Sequence, residues 1–141
     1  MTMEPIRILL VEDQTLMRQG LRTILSLEPG LEVVGEAADG EAGIRQALDL
    51  RPDLILMDIS MPDSDGFETA EYIKKSNPRI AVIMLTGYDS ELYAAESLRA
   101  GASGYLTKDS TRKFLLNAIR LVANGGTVWK RGSFPGYRPE P

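Results

Sequence analysis

Short apolar runs alternate with amphipathic stretches along most of the chain. Ile6-Arg7-Ile8-Leu9-Leu10-Val11, Leu54-Ile55-Leu56-Met57 and Ile80-Ala81-Val82-Ile83-Met84-Leu85 are nearly continuous apolar runs. A strand with one wet face alternates apolar and polar side chains. Runs without that alternation predict strands buried on both faces, as in a parallel sheet. Leu31-Glu32-Val33-Val34-Gly35-Glu36-Ala37 is more mixed and suits an edge strand, and Tyr105-Leu106 belongs to a fifth, short strand. Between the runs, Leu16, Met17, Leu21, Ile24 and Leu25 recur at helical spacing, as do Phe114, Leu115, Ala118, Ile119 and Val122. The punctuation agrees. Asp65 with Glu68 forms an acidic capping box, and Asp39, Asp89 and Ser110 are expected N-caps of three further helices. Gly101 is a helix stop, and Pro78 ends another helix before the fourth strand. The outcome is β-α five times over at a pitch of about 25 residues, which implies an α/β fold: a parallel sheet with right-handed crossovers and helices on both faces.

Composition narrows the chemistry. With 141 residues, 43% hydrophobic and 26% charged, the chain suits one soluble domain. It has no histidine and no cysteine, which excludes disulfides, thiolate nucleophiles, Cys/His zinc sites and Ser-His-Asp triads within this chain. The net charge of -4 gives no support to a nucleic-acid-binding surface. No apolar run is long enough for a membrane span and no signal-peptide pattern opens the chain, so a cytoplasmic protein without membrane contact is expected. Residues 1–123 form the expected domain. Residues 124–141, rich in Gly and Pro, read as a linker or an appended tail, and their Lys130, Arg131 and Arg138 are too sparse to track nucleic-acid phosphates.

In an open α/β sheet, ligands bind outside the carboxyl ends of the strands. Glu12 and Asp13 follow the first strand, Asp58 ends the third, Thr86 follows the fourth and Lys108 the fifth. Taken singly, the acidic residues read as helix N-caps or solvated charges and Lys108 as a surface lysine, although Asp58 ends a strongly apolar strand where a solvated residue is less expected. Their convergence on one edge is what points to a site. Three carboxylates in one cleft repel, so the cleft calls for a proton or a cation. Oxygen ligands of this kind suit Mg²⁺. Mg²⁺ beside a lysine is built to hold phosphoryl oxygens, and a carboxylate in that setting can itself be the nucleophile, giving an aspartyl phosphate. Asp58, at the centre, is the natural acceptor.

These residues sit in segments that resemble the response-regulator receiver domains of bacterial two-component signalling. The segments are Ile8-Leu9-Leu10-Val11-Glu12-Asp13, Asp58-Ile59-Ser60-Met61-Pro62-Asp63-Ser64-Asp65-Gly66, Met84-Leu85-Thr86-Gly87 and Gly101-Ala102-Ser103-Gly104-Tyr105-Leu106-Thr107-Lys108. Their style, with Gln14 after the acidic pair, is similar to regulators of the NarL/FixJ type. The resemblance implies a flavodoxin-like (βα)5 fold with strand order 2-1-3-4-5. It implies that Asp58 accepts a phosphoryl group from the histidine of a sensor kinase. Glu12, Asp13, Asp58 and the backbone carbonyl of Ser60 would hold Mg²⁺. Thr86 and Lys108 would bind phosphoryl oxygens. Tyr105 would be an aromatic switch that turns inward as Thr86 moves, and the domain would then dimerise or expose an output face. A phosphoryl group adds about -1.5 to -2 charges, enough to bias a two-state loop.

Regulators of this type usually carry a helix-turn-helix DNA-binding domain after the receiver, and the 18 residues after Ala123 are too few for one. The short tail favours a receiver cut from such a transcription regulator over one that works alone. Two other chemistries fit less well. An FMN carrier of the same fold needs a Ser/Thr/Gly phosphate loop after the first strand, where Glu12 and Asp13 stand. A Mg²⁺-dependent phosphohydrolase with an Asp nucleophile needs a general acid two positions on, where Ser60 stands and Asp63 is five away.

Overall fold

Each apolar run forms a strand, and each amphipathic stretch forms a helix that returns the chain to the same edge of the sheet. The structure is a computed structural model and describes residues 4–62 and 64–129. In chain order the elements are β1 (Ile6–Val11), α1 (Thr15–Ser26), β2 (Leu31–Ala37), α2 (Gly40–Leu50), β3 (Leu54–Asp58), α3 (Gly66–Ser76), β4 (Ala81–Thr86), α4 (Glu91–Arg99), β5 (Gly104–Thr107), α5 (Arg112–Ala123) and β6 (Val128–Trp129). The sheet order is β2-β1-β3-β4-β5-β6 with every pairing parallel. Its first five strands have the flavodoxin-like order, with the mixed strand β2 at one edge as its pattern predicts. Within residues 124–141, expected as linker or tail, Val128–Trp129 forms β6 and extends the other edge by one short strand. Lys130, Arg131 and Arg138 lie outside the described residues, as does Asp63.

Side chains alternate across a strand, so one apolar run feeds two cores. Leu9, Val11, Ile55, Met57, Val82 and Met84 face Ala47 of α2, Ala70 and Ile73 of α3 and Ala94 of α4. Ile8, Leu10, Leu54, Leu56, Ile83 and Leu85 face Leu21 and Leu25 of α1 and Leu115 and Ile119 of α5. That double burial is why β1, β3 and β4 carry no polar alternation. Two residues expected on the helical stripes leave them: Leu16 is 84% exposed and Phe114 is 45% exposed. Leu16 precedes the Met17–Leu21–Leu25 ridge by one residue, and about 100° of helical rotation carries it off the buried face.

The caps follow the same logic with small shifts. Asp39 accepts from Ala42 N, and Asp65 accepts from Phe67 N and Glu68 N, as the sequence predicts. The cap of α4 is Ser90 rather than Asp89, and that of α5 is Thr111 rather than Ser110. In each pair a hydroxyl one position later accepts from the first-turn N–H groups. The helix stop expected at Gly101 is present, with φ +93 just beyond the α4 cap Ala100. Between β3 and α3, Ser60–Met61 and Ser64–Asp65 form a two-residue antiparallel ladder that the sequence pattern does not signal.

Candidate functional site

The parallel register brings the carboxyl ends of β1, β3, β4 and β5 to one rim. Val11 is level with Met57, Asp58 with Leu85, and Thr86 with Thr107. The residues that end or follow these strands are therefore delivered together. Glu12, Asp58 and Thr86 are all buried. Lys108 reaches over them: its Nζ lies 2.8 Å from Glu12 Oε1 and 3.3 Å from Asp58 Oδ1. Asp58 Oδ1 also accepts from Ser60 N at 3.2 Å, and Glu12 Oε2 accepts from Gln14 N at 3.0 Å.

Two carboxylate oxygens stand out. Asp58 Oδ2 and Asp13 Oδ1 are buried, and neither has a hydrogen-bond partner among the described residues. Leaving such atoms unpaired is costly. One ligand oxygen each from Glu12, Asp13 and Asp58 lie within 4.8 Å of one another. A cluster of hard anionic oxygens with unspent lone pairs fits a divalent cation that takes oxygen ligands, and Mg²⁺ is such an ion. The residues present therefore fit the metal that the sequence calls for.

The electrostatics agree. Burial, then the neighbouring charge of Glu12 and the carboxyl of Asp13, push Asp58 up to about 7, against the lowering effect of Lys108. Burial opposes the charge on Lys108, but its hydrogen bond to Glu12 and the charges of Asp58 and Glu12 outweigh that and hold it above its usual range. Without a cation, one lysine is set against three carboxylates.

A backbone contact fixes the acceptor from below. A Cβ on Gly66 would lie 2.4 Å from the Asp58 carbonyl oxygen and 2.8 Å from Ile59 Cα. Only glycine allows the first turn of α3 to sit so close to this peptide. The acidic loop is held from the other side by Arg18, which sequence reasoning missed. Its Nη1 donates to the Glu12 carbonyl at 2.7 Å, and its Nε pairs with Glu36 Oε1 at 3.2 Å. Arg18 sits three residues past Thr15 on a face that hydrophobic spacing leaves unassigned, so only the fold reveals the contact.

The loop after β4 is gripped twice. Thr86 Oγ1 donates to Tyr88 O at 2.9 Å and accepts from Tyr88 N at 3.0 Å. Tyr105 is fully buried. Its hydroxyl accepts from Ser90 N at 3.0 Å and is 3.2 Å from Asp89 Oδ1, to which it donates. Tyr105 thus occupies the inward position, while the Thr86 hydroxyl is engaged with its own loop. Ser60 stands two residues after Asp58 in the short ladder, so all seven residues singled out in the sequence line this rim or abut it.

The chain matches the response regulator receiver domain family over residues 8–120. It is 42% identical over 127 residues to the response regulator protein VraR of Staphylococcus aureus, covering 89% of this chain and 60% of VraR. It is 40% identical over 130 residues to the transcriptional regulatory protein YxjL of Bacillus subtilis, covering 92% of this chain and 60% of YxjL. The chain thus spans about 60% of the length of these curated relatives. The crystal structure of a LuxR-family two-component response regulator from Aurantimonas sp. SI85-9A1 superposes with a TM-score of 0.85 at 32% identity, covering 89% of each chain. Sheet order, acidic rim and these matches agree: the chain belongs to the receiver-domain family of two-component response regulators.

Proposed function

We propose that Asp58 accepts a phosphoryl group from the phosphohistidine of a sensor histidine kinase, and that the domain changes conformation in response. The observation that carries this reading is the pairing of Lys108 with Asp58 Oδ1 while Asp58 Oδ2 stays buried and unpartnered among the described residues. One oxygen is held by a cation; the other is free to form a bond.

Glu12, Asp13, Asp58 and the backbone carbonyl of Ser60 would hold Mg²⁺. When bound, the ion supplies positive charge that keeps Asp58 ionised near neutral pH and screens the phosphoryl oxygens. An Asp58 oxygen forms the new P–O bond as the P–N bond to the donor imidazole breaks, and the imidazole leaves with that electron pair. Lys108 ion-pairs with a phosphoryl oxygen. The Thr86 hydroxyl donates to another and gives up its contacts with Tyr88. The loop between Thr86 and Ser90 is then biased toward a second arrangement, with Tyr105 as the aromatic member of the switch.

The domain dimerises or exposes an output face on phosphorylation, controls transcription through a DNA-binding domain of the kind such regulators carry after the receiver, and works in the cytoplasm. Among the described residues no helix is long and apolar enough to cross a membrane. Incubation with acetyl phosphate and Mg²⁺, followed by intact-mass measurement, should add the mass of one phosphoryl group. Asp58→Asn should abolish that species and leave the circular dichroism unchanged. Mg²⁺-dependent labelling of the variant would overturn the assignment.

A further inference from the structure

α5 does not end the fold. Gly125 has φ +95, and the N–H groups of Gly125 and Gly126 donate to Val122 O at 3.0 Å and Leu121 O at 2.9 Å. This is the glycine-closed helix end that reverses the chain. The reversed chain enters the sheet: Val128 N donates to Ser103 O at 2.9 Å, and Gly104 and Tyr105 stand opposite Val128 and Trp129. The Trp129 ring stacks on Tyr105, with centroids 6.4 Å apart and planes 19° apart. Tyr105 therefore touches two things at once. Its hydroxyl holds the loop after β4 through Asp89 and Ser90, and its ring carries the last strand.

We propose that β6 is coupled to Tyr105: docking of Val128–Trp129 on β5 and burial of Tyr105 form one cooperative state. This rests on the reading of Asp58 as phosphoryl acceptor. Phosphorylation that holds Tyr105 inward tightens β6, and pulling β6 away weakens the phosphorylated state by the same factor, because coupling between two sites is reciprocal. Three features make β6 the movable part. It is two residues long, it pairs on one side only among the described residues, and a groove of about 310 Å³ remains between it and Phe114 and Leu121 of α5. Short strands at a sheet edge sit at the low end of local stability. Whatever is joined beyond Trp129 would thereby feel the state of the acidic rim through one aromatic stack.

Trp129 is the single tryptophan of the sequence, so its fluorescence reads β6 directly. Acrylamide quenching should rise at least twofold in Val128→Pro, which removes the N–H bonded to Ser103, and in Tyr105→Leu, while Tyr105→Phe stays close to the parent. Beryllofluoride with Mg²⁺, a phosphoryl mimic, should lower quenching in the parent but not in Asp58→Asn. Val128→Pro should weaken beryllofluoride binding, followed by fluorine NMR, about fivefold. Equal protection of Trp129 in the parent and in a folded Tyr105→Leu variant would overturn the coupling. So would beryllofluoride bound at Asp58 with Trp129 quenching unchanged, or unaltered affinity in Val128→Pro. Failure of the parent to bind beryllofluoride would instead overturn the acceptor reading, and the comparison of Tyr105→Leu with the parent would still decide the coupling.

Discussion

In the metal-free protein, replacing Asp58 by Asn should stabilise the fold, and increasingly so as pH rises. Burial and the charge of Glu12 raise Asp58 from 3.8 to about 7. The folded state therefore holds this proton more tightly than the unfolded chain does. The resulting stabilisation is complete below about pH 4 and is lost as pH rises toward 7. At about 1.36 kcal/mol per pH unit, the loss between about pH 5 and pH 8 comes to about 2–3 kcal/mol. Asn cannot ionise and escapes it. Lys108 keeps Glu12 at 2.8 Å in the variant, so the lysine does not become an orphan. Urea denaturation followed by circular dichroism, with chelator present at both pH values, measures the difference directly. Saturating Mg²⁺ should reverse the order at pH 8, since an ion that binds the folded parent stabilises it by mass action. A gap between parent and variant that does not change from pH 5 to pH 8 would refute the argument, because it would mean that Asp58 carries no electrostatic strain.

Gly66→Ala places a methyl group 2.4 Å from the Asp58 carbonyl and should cost about 2–3 kcal/mol, read as a lower urea midpoint with reduced acetyl-phosphate labelling. Lys108→Ala leaves Glu12 buried without its cation and should cost about 3 kcal/mol at neutral pH. It should still permit some labelling of Asp58 while the loop after β4, followed by NMR shifts of Tyr88 and Asp89, fails to respond. Leu21→Ala should cost about 3 kcal/mol and Leu16→Ala less than about 0.5 kcal/mol, since the first is buried and the second is 84% exposed. Equal losses in thermal melts would show that α1 is rotated from the orientation described.

The sheet and the acidic rim are legible in the sequence because parallel strands are buried on both faces and their ends are fixed by register. Once Leu54–Asp58 is a central strand, Asp58 has to emerge at the rim, and the alternation brings Glu12, Thr86 and Lys108 beside it. What stayed illegible depends on contacts between distant segments. The sequence pairs Asp89 with a helix start, yet Ser90 takes the cap and the Asp89 carboxylate serves the Tyr105 hydroxyl instead. Arg18 reads as a helix-surface charge until the fold sets it against the Glu12 carbonyl. β6 hides in a glycine- and proline-rich stretch. A β-branched and aromatic pair, Val128-Trp129, after the Gly125-Gly126 reversal is the one local hint of it. Two residues are too few for a periodicity to register.

The close seat of α3 under the Asp58 peptide gives the domain a direction. With no space between the Gly66 and Asp58 backbones, that wall cannot recoil when charge arrives. The opposite wall is made of side chains, Thr86 and Tyr105, held through hydroxyl hydrogen bonds, which can be exchanged one for another. If Asp58 takes the phosphoryl group as proposed, displacement should therefore run one way, across the sheet toward its last strands, with the half of the molecule carrying α2 and α3 as the anvil against which the other half moves.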